Sequence, residues 1–228
     1  MKSCKIYEVA EPLAPEEVYD SLNGYSQLWE EELDGRNVTV GFRVAELERG
    51  EDSVWGVAEE SWITTTEFRG EELRIPVSST ISFTFIYEKQ REFLLVYASK
   101  RLADRLAVRF SELLFDAPDR ILEVYLPPEK MREVYSKGEV RSMIIDNLRL
   151  PGIRKVTLFG EDLKNARTVK TYLTRGKGRE LYVVYRDEEG VFGISRTGQI
   201  VAFSRIALED FEAYIREKIL PLAEPPPE

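Results

Sequence analysis

Residues 80–87 alternate, with Ile81, Phe83 and Phe85 on one side of the pattern and polar residues on the other. A period of two puts those three side chains on one face of a strand. Glu88-Lys89-Gln90-Arg91 reads as a turn and residues 93–98 as the return strand. This part of the chain is therefore expected to be an antiparallel meander with one buried face and one wet face. Residues 37–44, 54–58 and 62–68 extend it upstream, being rich in β-branched and aromatic residues between polar breaks at 48–52 and 69–72. A short helix precedes them. It begins at Pro15-Glu16-Glu17, where proline and acids suit a first turn, and Asn23-Gly24 stops it.

Ser99 reads as the N-cap of the clearest helix, Lys100–Phe115. Leu102, Leu106, Phe110 and Leu113 recur at spacings of four, four and three and form one apolar stripe. Asp116-Ala117-Pro118-Asp119 ends it and marks the expected domain boundary. Downstream, strands are expected at 121–126, 154–159, 167–174, 181–186 and 191–203, the last broken at Thr197-Gly198. Helices are expected at 129–136, 139–148 and 208–220, with a frayed tail from Glu224 to Glu228. The fold class is thus α+β: an N-terminal antiparallel β-rich part, an amphipathic connecting helix, and a C-terminal mixed sheet with three helices. Residues 1–116 are read as an acidic β-rich domain and 117–228 as an α/β domain with a basic hairpin, unless the two merge into one.

Composition excludes much chemistry. There is no histidine, and Cys4 is the only cysteine. Ser–His and Cys–His nucleophiles and zinc sites built on Cys and His are therefore absent. No phosphate-binding Gly-Lys-Ser/Thr loop and no dinucleotide fingerprint occurs. Carboxylate chemistry remains: Asp116, Asp119 and Glu123 cluster where a helix hands over to a strand, and Glu161-Asp162 and Asp187-Glu188-Glu189 are smaller groups. Acids in turns are ordinary, so these read as solvated turns, with no catalytic, metal or cofactor site assigned. The lone cysteine, the start without an apolar core and the lack of a spanning apolar run point to a cytoplasmic protein that avoids membranes. Three glutamines beside 32% charged residues suggest a thermophilic source.

Charge is polarised. Residues 1–75 carry 18 acidic and 7 basic residues, residues 76–182 carry 14 and 20, and residues 183–228 carry 9 and 5, giving the overall −9. Two basic elements stand out. Between Lys164 and Arg179 lie six basic residues and no acid. On a strand, Lys170 and Tyr172 would share a face that leads into a turn bearing Arg175, Lys177 and Arg179, where glycines let backbone N–H groups approach an anion and tyrosine could stack on a base. The competing reading is a solvated hairpin whose charge discourages edge pairing. The second element is Arg101, Arg105 and Arg109, one stripe of the long helix at a spacing of four. It could follow a phosphate backbone, or it could pair internally with Asp104, Glu112 or the acidic N-terminal segment.

Three functions fit these features. The first is a non-catalytic nucleic-acid-associated accessory subunit, working beside a catalytic partner. The second is a protein-interaction module without nucleic acid, anchored by Trp29, Trp55 and Trp62. The third is a carboxylate-metal-dependent hydrolase or nuclease. The charge polarity and the aromatic residues among the cations favour the first.

Overall fold

The computed structural model describes residues 1–226. The chain is α+β and divides into two compact units. Residues 8–121 form the central unit, and residues 1–7 with the chain from Leu122 on form the terminal unit. The first strand, β1 (Lys2–Val9), leads from the terminal into the central unit.

In the central unit α1 (Pro15–Leu22) is followed by a five-strand meander: β2 (Ser26–Leu33), β3 (Arg36–Arg49), β4 (Ser53–Phe68), β5 (Glu71–Glu88) and β6 (Arg91–Tyr97). Each strand pairs antiparallel with the next. The segments expected at 54–58 and 62–68 are one strand, β4, and β5 begins at Glu71, well before the strand expected from residue 80. β2 went unread because Glu30-Glu31-Glu32 looks like a solvated run; its charge suits an exposed edge strand. The long helix forms as expected, as α2 (Lys100–Phe115). It seats Phe110 against Phe83 and Phe85, with ring centroids 4.7 and 5.7 Å away. Gly56 makes room for this packing, since a Cβ there would lie 2.5 Å from Phe83 Cζ. Ser111, buried on α2, donates to Ala117 O at 2.6 Å and accepts from Arg120 N–H at 2.8 Å, which fastens the turn after the helix.

The terminal unit is an antiparallel sheet rather than a mixed one. After β7 (Ile121–Glu123) come α3 (Pro128–Tyr135), β8 (Glu139–Asp146), β9 (Val156–Phe159), α4 (Arg167–Thr174), β10 (Arg179–Arg186), β11 (Val191–Ser195), β12 (Gln199–Ala202) and α5 (Leu208–Lys218). The order is β1-β12-β11-β10-β8-β9, and every registered pairing is antiparallel. Short turns join β10, β11 and β12, and only antiparallel neighbours accept such links. Two expectations exchange places. Residues 139–148, read as a helix, are mostly strand β8, because Val140, Met143 and Ile145 bury against a sheet that pairs β8 on both sides. Residues 167–174, read as a strand, are helix α4. Val169, Tyr172 and Leu173 lie at helical spacing, and the Thr171 and Thr174 hydroxyls donate back to Arg167 O and Lys170 O. Glu224 is not frayed: it exchanges two 2.8 Å backbone bonds with Tyr125, while Pro227 and Glu228 lie outside the described residues.

Buried charge in the terminal unit is paired. Glu180, fully buried on β10, takes a bidentate bond from Arg132 at 2.7 and 3.0 Å and a third from Tyr135. Lys5 meets Glu123 at 3.0 Å and donates to Thr197 O. Asp146 holds Arg196 through both oxygens.

Glu92 in the central unit is the exception. It is fully buried on β6, and its Oε2 accepts the Leu13 N–H at 2.8 Å. Its Oε1 and the buried Tyr87 hydroxyl form no hydrogen bond. Burial holds the carboxyl up to about 7; the Leu13 amide and Tyr87 oppose the rise and the Glu17 carboxylate adds to it. A carboxyl raised on folding binds its proton more tightly in the native state. Its contribution is therefore complete below the ordinary carboxylate range and is lost as pH rises through about 7. The loss amounts to about 3 kcal/mol. Thermal unfolding at acidic and mildly alkaline pH is expected to show this decline, and Glu92→Gln is expected to remove it and to raise the alkaline midpoint.

Candidate nucleic-acid interface

The segment from Lys164 to Arg179 is a 3-10 turn, helix α4 and a turn into β10, not a hairpin. This changes what each residue can do. Lys170 and Tyr172, two positions apart, point away from each other on a helix. Lys170 is exposed, whereas Tyr172 is half-buried on the side of α4 that packs inward. The pair therefore does not present a cation beside an open ring. Lys164 is engaged, donating to Ser136 O at 2.8 Å and Gly138 O at 2.6 Å.

Nor are the glycines an anion cradle. The Gly176 N–H donates to Thr171 O and the Gly178 N–H to Tyr172 O, both at 3.1 Å, so both amides cap the C-terminus of α4. Both glycines are buried, and a Cβ on either would lie under 3 Å from Leu148 Cδ2. They serve close packing. The helix end beside them carries partial negative charge, which Arg175 and Lys177 complement.

The cations themselves stand in water. Arg167, Lys170, Arg175, Lys177 and Arg179 are exposed and make no ion pair with a described residue. Arg179 sits opposite Asp146 in register, but that carboxylate is already held at both oxygens by Arg196. A second loop joins them. The Arg149 N–H donates to Gly176 O at 2.8 Å, which fixes residues 147–155 beside the turn. That loop adds Arg149, Arg154 and Lys155, all exposed and likewise without an ion pair. Residues 147–179 thus hold nine basic and two acidic residues. The sequence does not disclose this loop: a helix expected at residues 139–148 leaves residues 149–155 after a helix rather than against this turn. The signal present was Pro151-Gly152 flanked by Arg149, Arg154 and Lys155.

The arginine stripe on α2 is arranged differently. Arg105 pairs with Glu60, and its guanidinium lies 4.9 Å from the Trp62 ring centroid. The Arg109 guanidinium lies 4.6 Å from that of Phe42. Lys100 meets Asp104 at 3.3 Å. Only Arg101 of the three arginines is exposed without a pairing partner among the described residues.

The acidic groups considered for metal are mostly committed elsewhere. Glu123 takes Lys5, Asp162 takes the Asn165 amide at 2.6 Å, and Asp187 takes the Glu189 and Gly190 amides and the Tyr214 hydroxyl. Among the described residues no group of three or more His, Cys, Asp or Glu side chains is arranged to hold a metal ion. Cys4 is fully buried. Trp29 is 53% exposed, and Trp55 and Trp62 are half-buried. Among the described residues no helix is long and apolar enough to cross a membrane. No protein-family model and no curated protein matches the chain.

Because the turn rests on Leu148 through two glycines, Gly178→Ala is expected to overpack it. A destabilisation of about 2 kcal/mol, or roughly 4–8 °C in a chain of this length, is the expected result of thermal unfolding.

Proposed function

We propose that the protein is a non-catalytic, nucleic-acid-associated accessory subunit that grips the phosphate backbone through residues 147–179. The observation that supports this reading is a set of exposed arginines and lysines on two touching loops and α4, none of which pairs with a described carboxylate. Arginine forks are suited to phosphate oxygens. With the backbone amides used in capping and Tyr172 turned inward, phosphate contact is what this face offers, and base readout is not. Binding should then be indifferent to sequence and steep in salt. The α2 stripe contributes little, since Arg105 and Arg109 are taken up by Glu60, Trp62 and Phe42. A partner would supply any catalysis.

The test is fluorescence anisotropy with labelled single-stranded DNA and RNA of mixed sequence, titrated between ~50 and ~200 mM salt. The log–log slope is expected to be steep. The triple variant Arg175→Ala, Lys177→Ala, Arg179→Ala should flatten it by about 2, the value for three lost single-strand contacts. A slope that is flat, or that the triple variant leaves unchanged, removes the proposal.

A further inference from the structure

The core-facing row of the central unit does not end where the core ends. On β4 and β5 the paired residues Gly56↔Phe83 and Ala58↔Ile81 face inward, and the pairing continues in register to Phe68↔Glu71. With a period of two, the same face then presents Glu60↔Ser79, where Glu60 is taken by Arg105, and beyond it Trp62↔Val77, Thr64↔Ile75, Thr66↔Leu73 and Phe68↔Glu71. β3 stops pairing with β4 at Gly41↔Ser61, so these last pairs belong to a ribbon of two strands. Phe68 is 58% exposed, Ile75 40% and Leu73 39%. A two-stranded ribbon wet on both faces is marginal in water. The opposite face is held, Arg74 reaching Glu31 at 2.9 Å, while among the described residues the apolar face is covered only by side-chain cations: Arg105 over Trp62 at its base and Arg69 over Phe68 at its tip, 5.2 Å from the ring centroid.

The helix explains where cover stops. Phe110 packs on Phe83, and Arg105, more than a turn earlier, lies over Trp62. α2 therefore points its N-terminus toward the ribbon tip and leaves Arg101 near the base of the open face. Glu71 stands on that face at the tip. Glu71 and Arg101 are both exposed, and neither pairs with a described residue.

We propose that this ribbon is a self-association surface, in which two copies pack open face to open face about a two-fold axis with their ribbons antiparallel. A two-fold contact needs a self-complementary patch. Here the tip of one copy meets the base of the other, so Phe68 packs toward Trp62 and Glu71 toward Arg101, each twice. The face is about 20 Å long at the rise of a strand. It is smaller than the roughly 800 Å² per partner of a standard stable interface, so the dimer should be weak and form in the micromolar range. This inference is independent of the nucleic-acid proposal, because its residues all lie in the central unit.

Sedimentation equilibrium of the full chain from ~5 to ~500 µM, a range chosen for an interface of this size, tests it. The average mass should climb from 26.4 kDa toward twice that value. Leu73→Lys should hold it at the monomer mass, with thermal unfolding confirming that the exposed substitution leaves the fold intact. Glu71→Arg and Arg101→Glu should each weaken the dimer, and the two combined should restore it. A chain that stays monomeric throughout would leave the face to some other occupant and overturn the proposal. So would a dimer that Leu73→Lys does not disturb, or single reversals that the double variant fails to rescue.

Discussion

Leu148 packs beneath Gly176 and Gly178, and the basic face depends on that contact. Without side chains, the two glycines let the turn after α4 settle onto the leucine. The Arg149 amide then meets the Gly176 carbonyl, and residues 147–155 are fixed alongside. Apolar packing and backbone hydrogen bonds hold the two loops together, so no carboxylate is needed among their cations. That is why Arg149, Arg154, Lys155, Arg175, Lys177 and Arg179 remain in solvent.

Elsewhere the chain pairs most of its buried charge. Arg132 with Glu180, Arg196 with Asp146 and Lys5 with Glu123 are each close, and removing one member would strand the other. Charge also divides between the units. Residues 8–121 carry 24 acidic and 12 basic residues, and the rest carries 17 and 20. The acidity of the whole chain thus comes from the central unit, and it does not contradict a local phosphate-binding face on the terminal one.

Periodicity revealed β5 at residues 80–87 and α2, because Ile81, Phe83, Phe85 and the Leu106–Phe110 stripe repeat cleanly and pack where the period puts them; β3 and β4 were legible from their β-branched and aromatic content, and β2 was not legible. It failed at 139–148 and 167–174. In the first, sheet pairing on both sides decided the outcome, and a short segment does not disclose its neighbours. In the second, β-branched residues outweighed a helical spacing that was present at Val169, Tyr172 and Leu173. The candidate site was half legible. The cations were visible in composition, but their roles depended on α4 being a helix. The Arg149 loop was missed, since its placement follows from one long-range hydrogen bond. The exposure of the β4–β5 ribbon was equally hidden, because alternation looks the same whether or not a helix covers it.

The central claim is that the arginines of residues 147–179 are free in water and available to an external anion. Arginine-specific labelling with phenylglyoxal, read residue by residue by mass spectrometry, tests it most directly. Arg149, Arg154, Arg175 and Arg179 should react quickly in the free protein, Arg132 and Arg196 slowly, and added single-stranded nucleic acid should protect the first group alone. Slow labelling of that group in the free protein, or no protection by nucleic acid, would contradict the account.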